Sequence, residues 1–139
     1  ERAAELERNA PPPATAASAP ADLKARLAAA DAALAGGDLG AARAAYAELV
    51  EVPNLDRASA LHLGESLYEA GDHRNAVRAF QRVGTFRAGE EPQRYTFALA
   101  LYETGSYRAA KRELAAALPK LEQTAELQRN RAKIEGAID

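Results

Sequence analysis

The chain contains no cysteine, methionine or tryptophan among its 139 residues. Without cysteine, disulfide bridges, thiolate metal sites and cysteine-based catalysis are excluded. Positive and negative charges nearly balance, with 18 lysines and arginines against 20 aspartates and glutamates. A nucleic-acid-binding surface is strongly basic, so we expect no nucleic-acid partner. No stretch approaches the roughly 18 consecutive apolar residues of a spanning helix, so we expect no direct membrane insertion.

The lack of methionine also bears on the start of the chain. The first residue is Glu1, so we expect this chain to be a piece of a longer product, with any upstream signal or anchor out of view. The alanine- and arginine-rich composition indicates a bacterial source. The compartment stays open between the bacterial cytoplasm and the periplasm.

The first part of the chain differs in composition from the rest. Residues 1–9 alternate charges with alanine and leucine, and they are predicted to be a helical stub of an upstream segment. Residues 10–21 are rich in proline and alanine, which favours a semi-rigid linker. A polyproline ligand for another domain is the alternative. From Asp22, which we expect to cap the first helix, a helical pattern continues and predicts one domain over 22–139.

Three glycine–polar pairs punctuate this domain at intervals of 34 residues, at Gly37-Asp38, Gly71-Asp72 and Gly105-Ser106. Glycine suits the left-handed end of a helix, and the following aspartate or serine suits the cap of the next helix. Each pair is followed at fixed offsets by a small and then a large residue: Ala42 and Tyr46, Ala76 and Phe80, Ala110 and Leu114. The spacing predicts helix–turn–helix repeats over 23–56, 57–90 and 91–124.

The second copy carries Leu63-Gly64, Gly71-Asp72, Ala76 and Phe80, and in these positions the chain resembles the tetratricopeptide repeat family. The resemblance implies an all-α fold, an α-solenoid of antiparallel helix pairs wound as a right-handed superhelix. It also implies a protein–protein interaction module rather than an enzyme.

Residues 125–138 follow the third copy and are predicted to form a capping helix. Leu127, Ile134 and Ile138 give it one apolar stripe, while charges of both signs cover its other face. A terminal helix with a polar outer face suits the end of a repeat array. A membrane-surface helix is the alternative, disfavoured by the mixed charges and the lack of aromatic residues.

In the family that the chain resembles, the first helices of successive repeats line a concave groove. The resemblance places nine candidate partner-binding residues there: Leu61, His62, Glu65, Tyr68, Glu69, Tyr95, Leu99, Tyr102 and Glu103. Tyrosine combines a large apolar body with a polar tip, which suits a binding surface. Packing between neighbouring helices is the alternative role for Tyr68 and Tyr102. Tyr95 is expected in a more open position and is the preferred contact.

The groove has a distinctive charge. Repeat domains that hold acidic chaperone tails use a clamp of lysine, asparagine and arginine, and the matching positions here are Leu27, Asp31, His62, Pro92 and Thr96. No basic clamp is present, and Asp31, Glu65, Glu69 and Glu103 would repel an acidic tail. We therefore expect a protein or peptide partner with a neutral, apolar or mildly basic segment.

His62 and Glu65 lie three positions apart on one predicted helix, a spacing that a general acid–base pair could use. One histidine and one carboxylate do not complete a metal site, and no nucleophile–base arrangement or phosphate loop is visible. We therefore expect no catalytic residues, no metal and no cofactor.

Two hypotheses for function follow from the sequence. The first is a scaffold that docks a peptide or helix of a partner in the concave groove. The alternative is a structural or assembly component that self-associates, as a homo-oligomer, or builds an envelope complex through the solenoid ends or the convex face.

Overall fold

The computed structural model describes residues 20–138, with side chains from Asp22, and this part of the chain contains helices and turns but no strand. The α-helices are α1 Pro20–Ala35, α2 Leu39–Val50, α3 Arg57–Glu69, α4 His73–Gln81, α5 Glu91–Glu103, α6 Tyr107–Ala117 and α7 Ala125–Glu135. A short 3-10 helix, Leu118–Lys120, follows α6. The predicted all-α fold of the solenoid class is confirmed. No helix in residues 20–138 is long and apolar enough to cross a membrane.

The helices belong to two compact units, and the chain passes from the first unit to the second between Leu55 and Asp56. In the first unit α1 packs against α2. In the second unit α3 packs against α4 and α5 against α6, while α5 also contacts α3, α4 and α7. The helices within each unit are therefore arranged as successive packed pairs.

The helix starts repeat at a fixed interval. The second helices of the pairs begin at residues 39, 73 and 107, and α3, α5 and α7 begin at residues 57, 91 and 125. Both series advance by 34 residues, so α7 starts where the first helix of a further pair is expected. The number of three repeats stays a prediction.

The turn between paired helices explains the repeated glycine. In the second pair Gly71 has a φ of 87°, and its N–H donates to the Tyr68 carbonyl oxygen at 3.0 Å. The Asp72 N–H donates to the Leu67 carbonyl oxygen at 2.9 Å, which completes a Schellman motif. The same pair of hydrogen bonds recurs around Gly37 and Gly105. The prediction of left-handed glycine at these turns is confirmed.

Capping of the following helices differs between the copies. The side chains of Asp38 and Asp72 accept hydrogen bonds from the N–H groups of Ala41 and Asn75 at 3.2 and 3.3 Å. Ser106 occupies the same position before α6, but its side chain makes no capping bond. The predicted cap at Asp22 is wrong, because α1 begins at Pro20 and places Asp22 in its first turn. Proline is favoured in the first turn of a helix, where its missing N–H costs nothing.

The core of the second unit is built around Phe80, which is fully buried. A Cβ atom placed on Gly64 of α3 would lie 2.6 Å from the Phe80 ring. Glycine at this position therefore allows the ring of α4 to lie directly on the backbone of α3. The equivalent large residues, Tyr46 and Leu114, are also buried, as the sequence predicted.

Hydrogen bonds of Arg57 connect the start of α3 to the segment between α4 and α5. The Arg57 guanidinium donates to both carboxylate oxygens of Glu90, from Nε and Nη2, at 2.8 Å each. It also donates to the backbone carbonyls of Val83 and Thr85. The hydrogen bond from Arg57, with those from Arg87, lowers the pKa of Glu90 from 4.5 to about 2. This fork fixes the start of α3 to the loop that leads into α5.

The last helix is shorter than predicted. Leu127 and Ile134 are buried, at 3% and 1% exposure, as the apolar stripe requires. The helix ends at Glu135 with Gly136 as its cap, so Ile138 lies beyond the helix and is 85% exposed. The predicted stripe is therefore wrong at Ile138, because glycine is a poor residue for continuing a helix.

Candidate partner-binding surface

The nine predicted groove residues lie on α3 and α5, and we call them the α3–α5 face. Their side chains divide by exposure. His62, Glu69 and Glu103 are exposed, whereas the other six are half-buried: Leu61, Glu65, Tyr68, Tyr95, Leu99 and Tyr102.

Side chains of the two helices meet across this face. Glu65 on α3 is hydrogen-bonded to Gln93 on α5. Tyr68 on α3 lies within electrostatic range of Glu103 and Tyr95 on α5. The structure therefore brings residues of both first helices together into one continuous surface.

Helix α7 adds a third side to this surface, which the sequence analysis missed. Asn130 donates a hydrogen bond from Nδ2 to the Tyr95 hydroxyl at 2.7 Å, and Lys133 Nζ lies 5.8 Å from the centre of the Tyr102 ring. The contact nearer the start of α5 is also the one nearer the start of α7, so the two helices run in the same direction at these contacts. The Tyr95 hydroxyl thus has a partner on α7, and the choice of Tyr95 as the preferred contact stays a prediction. The 34-residue interval between Glu91 and Ala125 is the sequence feature that could have indicated a position for α7 beside α5.

The other two tyrosines of the face combine packing with exposure. The Tyr68 ring lies 4.9 Å from the His73 ring, and the Tyr102 ring lies 5.5 Å from the Tyr107 ring, measured between centroids. Each tyrosine therefore packs against a residue that follows its own turn. Neither is fully buried, so part of each ring stays accessible.

A cavity of about 370 Å³ opens where α3, α5 and α7 come together. Three of its lining residues are glutamates, one from each of α3, the 121–124 segment and α7. The remaining lining residues are apolar or hydroxyl-bearing. The lining is Glu65, Pro92, Tyr95, Thr96, Leu121, Glu122, Thr124, Glu126 and Leu127.

The electrostatics of the surface are acidic. Burial raises the pKa of Glu65, while the hydrogen bond from Gln93 and the nearby His62 oppose this shift. Burial also raises the pKa of Tyr68, and the charges of Glu103 and Glu126 add to the increase. Carboxylates from α5 and α7 therefore lie within electrostatic range of the half-buried Tyr68 ring.

The ionisable groups of the α3–α5 face are one histidine, His62, three glutamates and three tyrosines. Within residues 20–138 no group of three or more histidine, aspartate or glutamate side chains is placed to hold a metal ion. His62 is exposed and Glu65 half-buried, and the hydrogen-bond partner of Glu65 on α5 is the uncharged Gln93. The face thus combines half-buried tyrosine and leucine side chains with carboxylates.

These features define residues 20–138 as an all-α protein of paired helices. The tetratricopeptide repeat family matches residues 58–85, which include most of α3 and all of α4. This match and the paired helices fit a tetratricopeptide-like repeat protein, and repeats of this family are in general non-catalytic protein–protein interaction modules. No curated protein and no solved structure matches the chain.

Proposed function

We propose that this protein is a scaffold that docks a peptide or helix of a partner protein against the α3–α5 face and the adjoining cavity. The observation that carries the proposal is the cavity itself, which joins Glu65 and Tyr95 of the predicted face to residues of α7. A concave site with half-exposed aromatic residues is where a partner side chain gains the most from leaving water.

The surroundings of the cavity are suited to binding without reorganisation. Arg57 and Glu90 fix the loop before α5, and Asn130 holds Tyr95 in place. Because these side chains are ordered before the partner arrives, less conformational entropy is lost on binding.

The proposal can be tested by blocking the cavity. Short random peptides displayed as an unbiased library are selected on the full chain, and the affinity of each selected peptide is then measured by calorimetry. Thr96 lines the cavity and bonds the Pro92 carbonyl through its hydroxyl, so Thr96→Trp places a large side chain there. Thr104→Trp is the matched control, since Thr104 also bonds a carbonyl of α5 but is not part of the cavity lining.

We expect selected peptides to bind the natural chain and the Thr104→Trp variant alike, and to lose at least about tenfold in affinity with Thr96→Trp. Circular dichroism on both variants confirms that the helices are intact. Peptides that bind both variants equally well, or a selection that yields no peptide, would overturn the proposal.

A further inference from the structure

We infer that the cavity is the recognition site for a cationic side chain, arginine or lysine, of an extended partner peptide. This inference rests on the proposed function and narrows the ligand, because the sequence alone left neutral, apolar and mildly basic segments open.

The charge of the cavity is the first argument. Glu65, Glu122 and Glu126 contribute three carboxylates, and no lysine, arginine or histidine is among its described lining residues. The three glutamates come from three different segments, and all of them line the cavity. Like charges gathered in a concave, partly apolar site focus the field on a ligand of opposite sign.

The second argument is the lack of internal neutralisation. Elsewhere in the described chain, glutamates engage arginines: Glu48 with Arg26, Glu90 with Arg57, and Glu113 with Arg94. Among residues 22–138, neither Glu122 nor Glu126 takes part in an ion pair. Glu65 is hydrogen-bonded to the neutral amide of Gln93, and the exposed His62 is the cation near it. A partner cation would therefore supply a counter-charge to Glu122 and Glu126.

The third argument is the lining beneath the carboxylates. The Tyr95 ring and Leu127, which is 3% exposed, give the cavity an apolar wall. The stems of arginine and lysine are apolar and pack on such a wall, while the charged head reaches the carboxylates. An aromatic ring also attracts a cation placed over its face. The volume of about 370 Å³ lies within the roughly 300–1,000 Å³ of ligand pockets and admits one long side chain.

The test uses the peptides selected on the full chain. Each basic residue of the tightest peptide is replaced by its uncharged isostere, citrulline for arginine and norleucine for lysine. Affinities are measured by calorimetry at low and high salt for the natural chain and for two double variants. Glu122→Gln with Glu126→Gln neutralises the cavity, and Glu48→Gln with Glu135→Gln gives the same change of net charge at exposed sites outside its lining.

We expect the selected peptides to share a basic residue. A peptide in which the uncharged isostere replaces this residue should bind the natural chain about tenfold more weakly, and the natural peptide should bind the Glu122→Gln, Glu126→Gln variant about tenfold more weakly. Both losses of affinity should be smaller at high salt. The control double variant retains affinity. Peptides that are displaced by Thr96→Trp but carry no required basic residue would overturn this inference and leave the proposed function standing. Equal losses in the two double variants would also overturn it, because they would show a general effect of net charge.

Discussion

Asn130 of α7 donates a hydrogen bond of 2.7 Å to the hydroxyl of Tyr95 on α5. This bond joins two helices whose first residues, Ala125 and Glu91, are one 34-residue period apart. Helix α7 therefore stands beside α5 at the period of a further first helix, and it contributes Glu126 and Leu127 to the cavity. The capping helix is part of the candidate binding surface as well as a cover for the core.

The hydrogen bond between these helices can be measured with a double-mutant cycle. Tyr95→Phe removes the acceptor without changing the ring, and Asn130→Ala removes the donor. We expect a coupling free energy of about 0.5–1.5 kcal/mol in urea unfolding, the range of a single net hydrogen bond. Amide hydrogen exchange should quicken along α7 in both single variants. A coupling energy near zero would show that the bond does not hold α7 in solution.

A methyl group at Gly64 is expected to disrupt the second helix pair. A Cβ there would lie 2.6 Å from the Phe80 ring, so Gly64→Ala should lower the free energy of unfolding by about 1–3 kcal/mol through overpacking. Gly40→Ala is the matched control, because a Cβ at Gly40 meets nothing within 4 Å. It should be neutral or stabilise α2 by up to about 1 kcal/mol, since alanine favours the helix. Equal urea midpoints for the two variants would contradict the close contact at Gly64.

The cap of α6 offers a gain in stability. The Asp72 side chain accepts a hydrogen bond from the Asn75 N–H, while Ser106 makes no equivalent bond. Ser106→Asp should therefore stabilise the protein by about 0.5–1 kcal/mol, and Asp72→Ala should destabilise it by about 1 kcal/mol. Thermal unfolding followed by circular dichroism measures both changes. The interpretation fails if Ser106→Ala proves as destabilising as Asp72→Ala.

The Arg57–Glu90 fork predicts a pH dependence. Because the pKa of Glu90 is lowered from 4.5 to about 2, the folded state holds this carboxylate ionised where the unfolded state takes up a proton. The stability it contributes is present above the ordinary pKa of 4.5 and is lost as the pH falls through about 2. The difference in unfolding free energy between the natural chain and Glu90→Gln should therefore shrink between neutral pH and strong acid.

A suitable control for this charge removal is Glu48→Gln, because the ion pair of Glu48 with Arg26 leaves the glutamate 74% exposed. Its effect on urea unfolding should be small at every pH. A Glu90→Gln difference that stays constant from neutral pH to strong acid would argue against the lowered pKa.

The turns and the core could be predicted from the sequence because their causes are local. Glycine at 37, 71 and 105 has the left-handed φ that the pattern required, and the large residue Phe80 is buried. Each feature depends on the type of residue at a fixed position within the repeat, and the sequence contains that position three times.

The third side of the candidate surface could not be predicted in the same way. The contact of Asn130 with Tyr95 joins residues that are 35 positions apart in the sequence. An asparagine among other polar residues of a helix gives no indication of which side chain it will bond. The cavity depends on Glu122 in an irregular segment after the 3-10 helix, where no periodicity constrains the path. The end of α7 was misjudged because Gly136 stops the helix before Ile138.

The most direct test of the central claim is to map, by amide chemical shifts in the labelled full chain, where the selected peptides bind. We predict saturable shifts confined to α3, α5, the 121–124 segment and the first turns of α7, with the largest at Tyr95 and Thr96, which line the cavity. Shifts that fall instead on α4 and α6, the second helices of their pairs, would contradict the claim that this surface is where a partner docks.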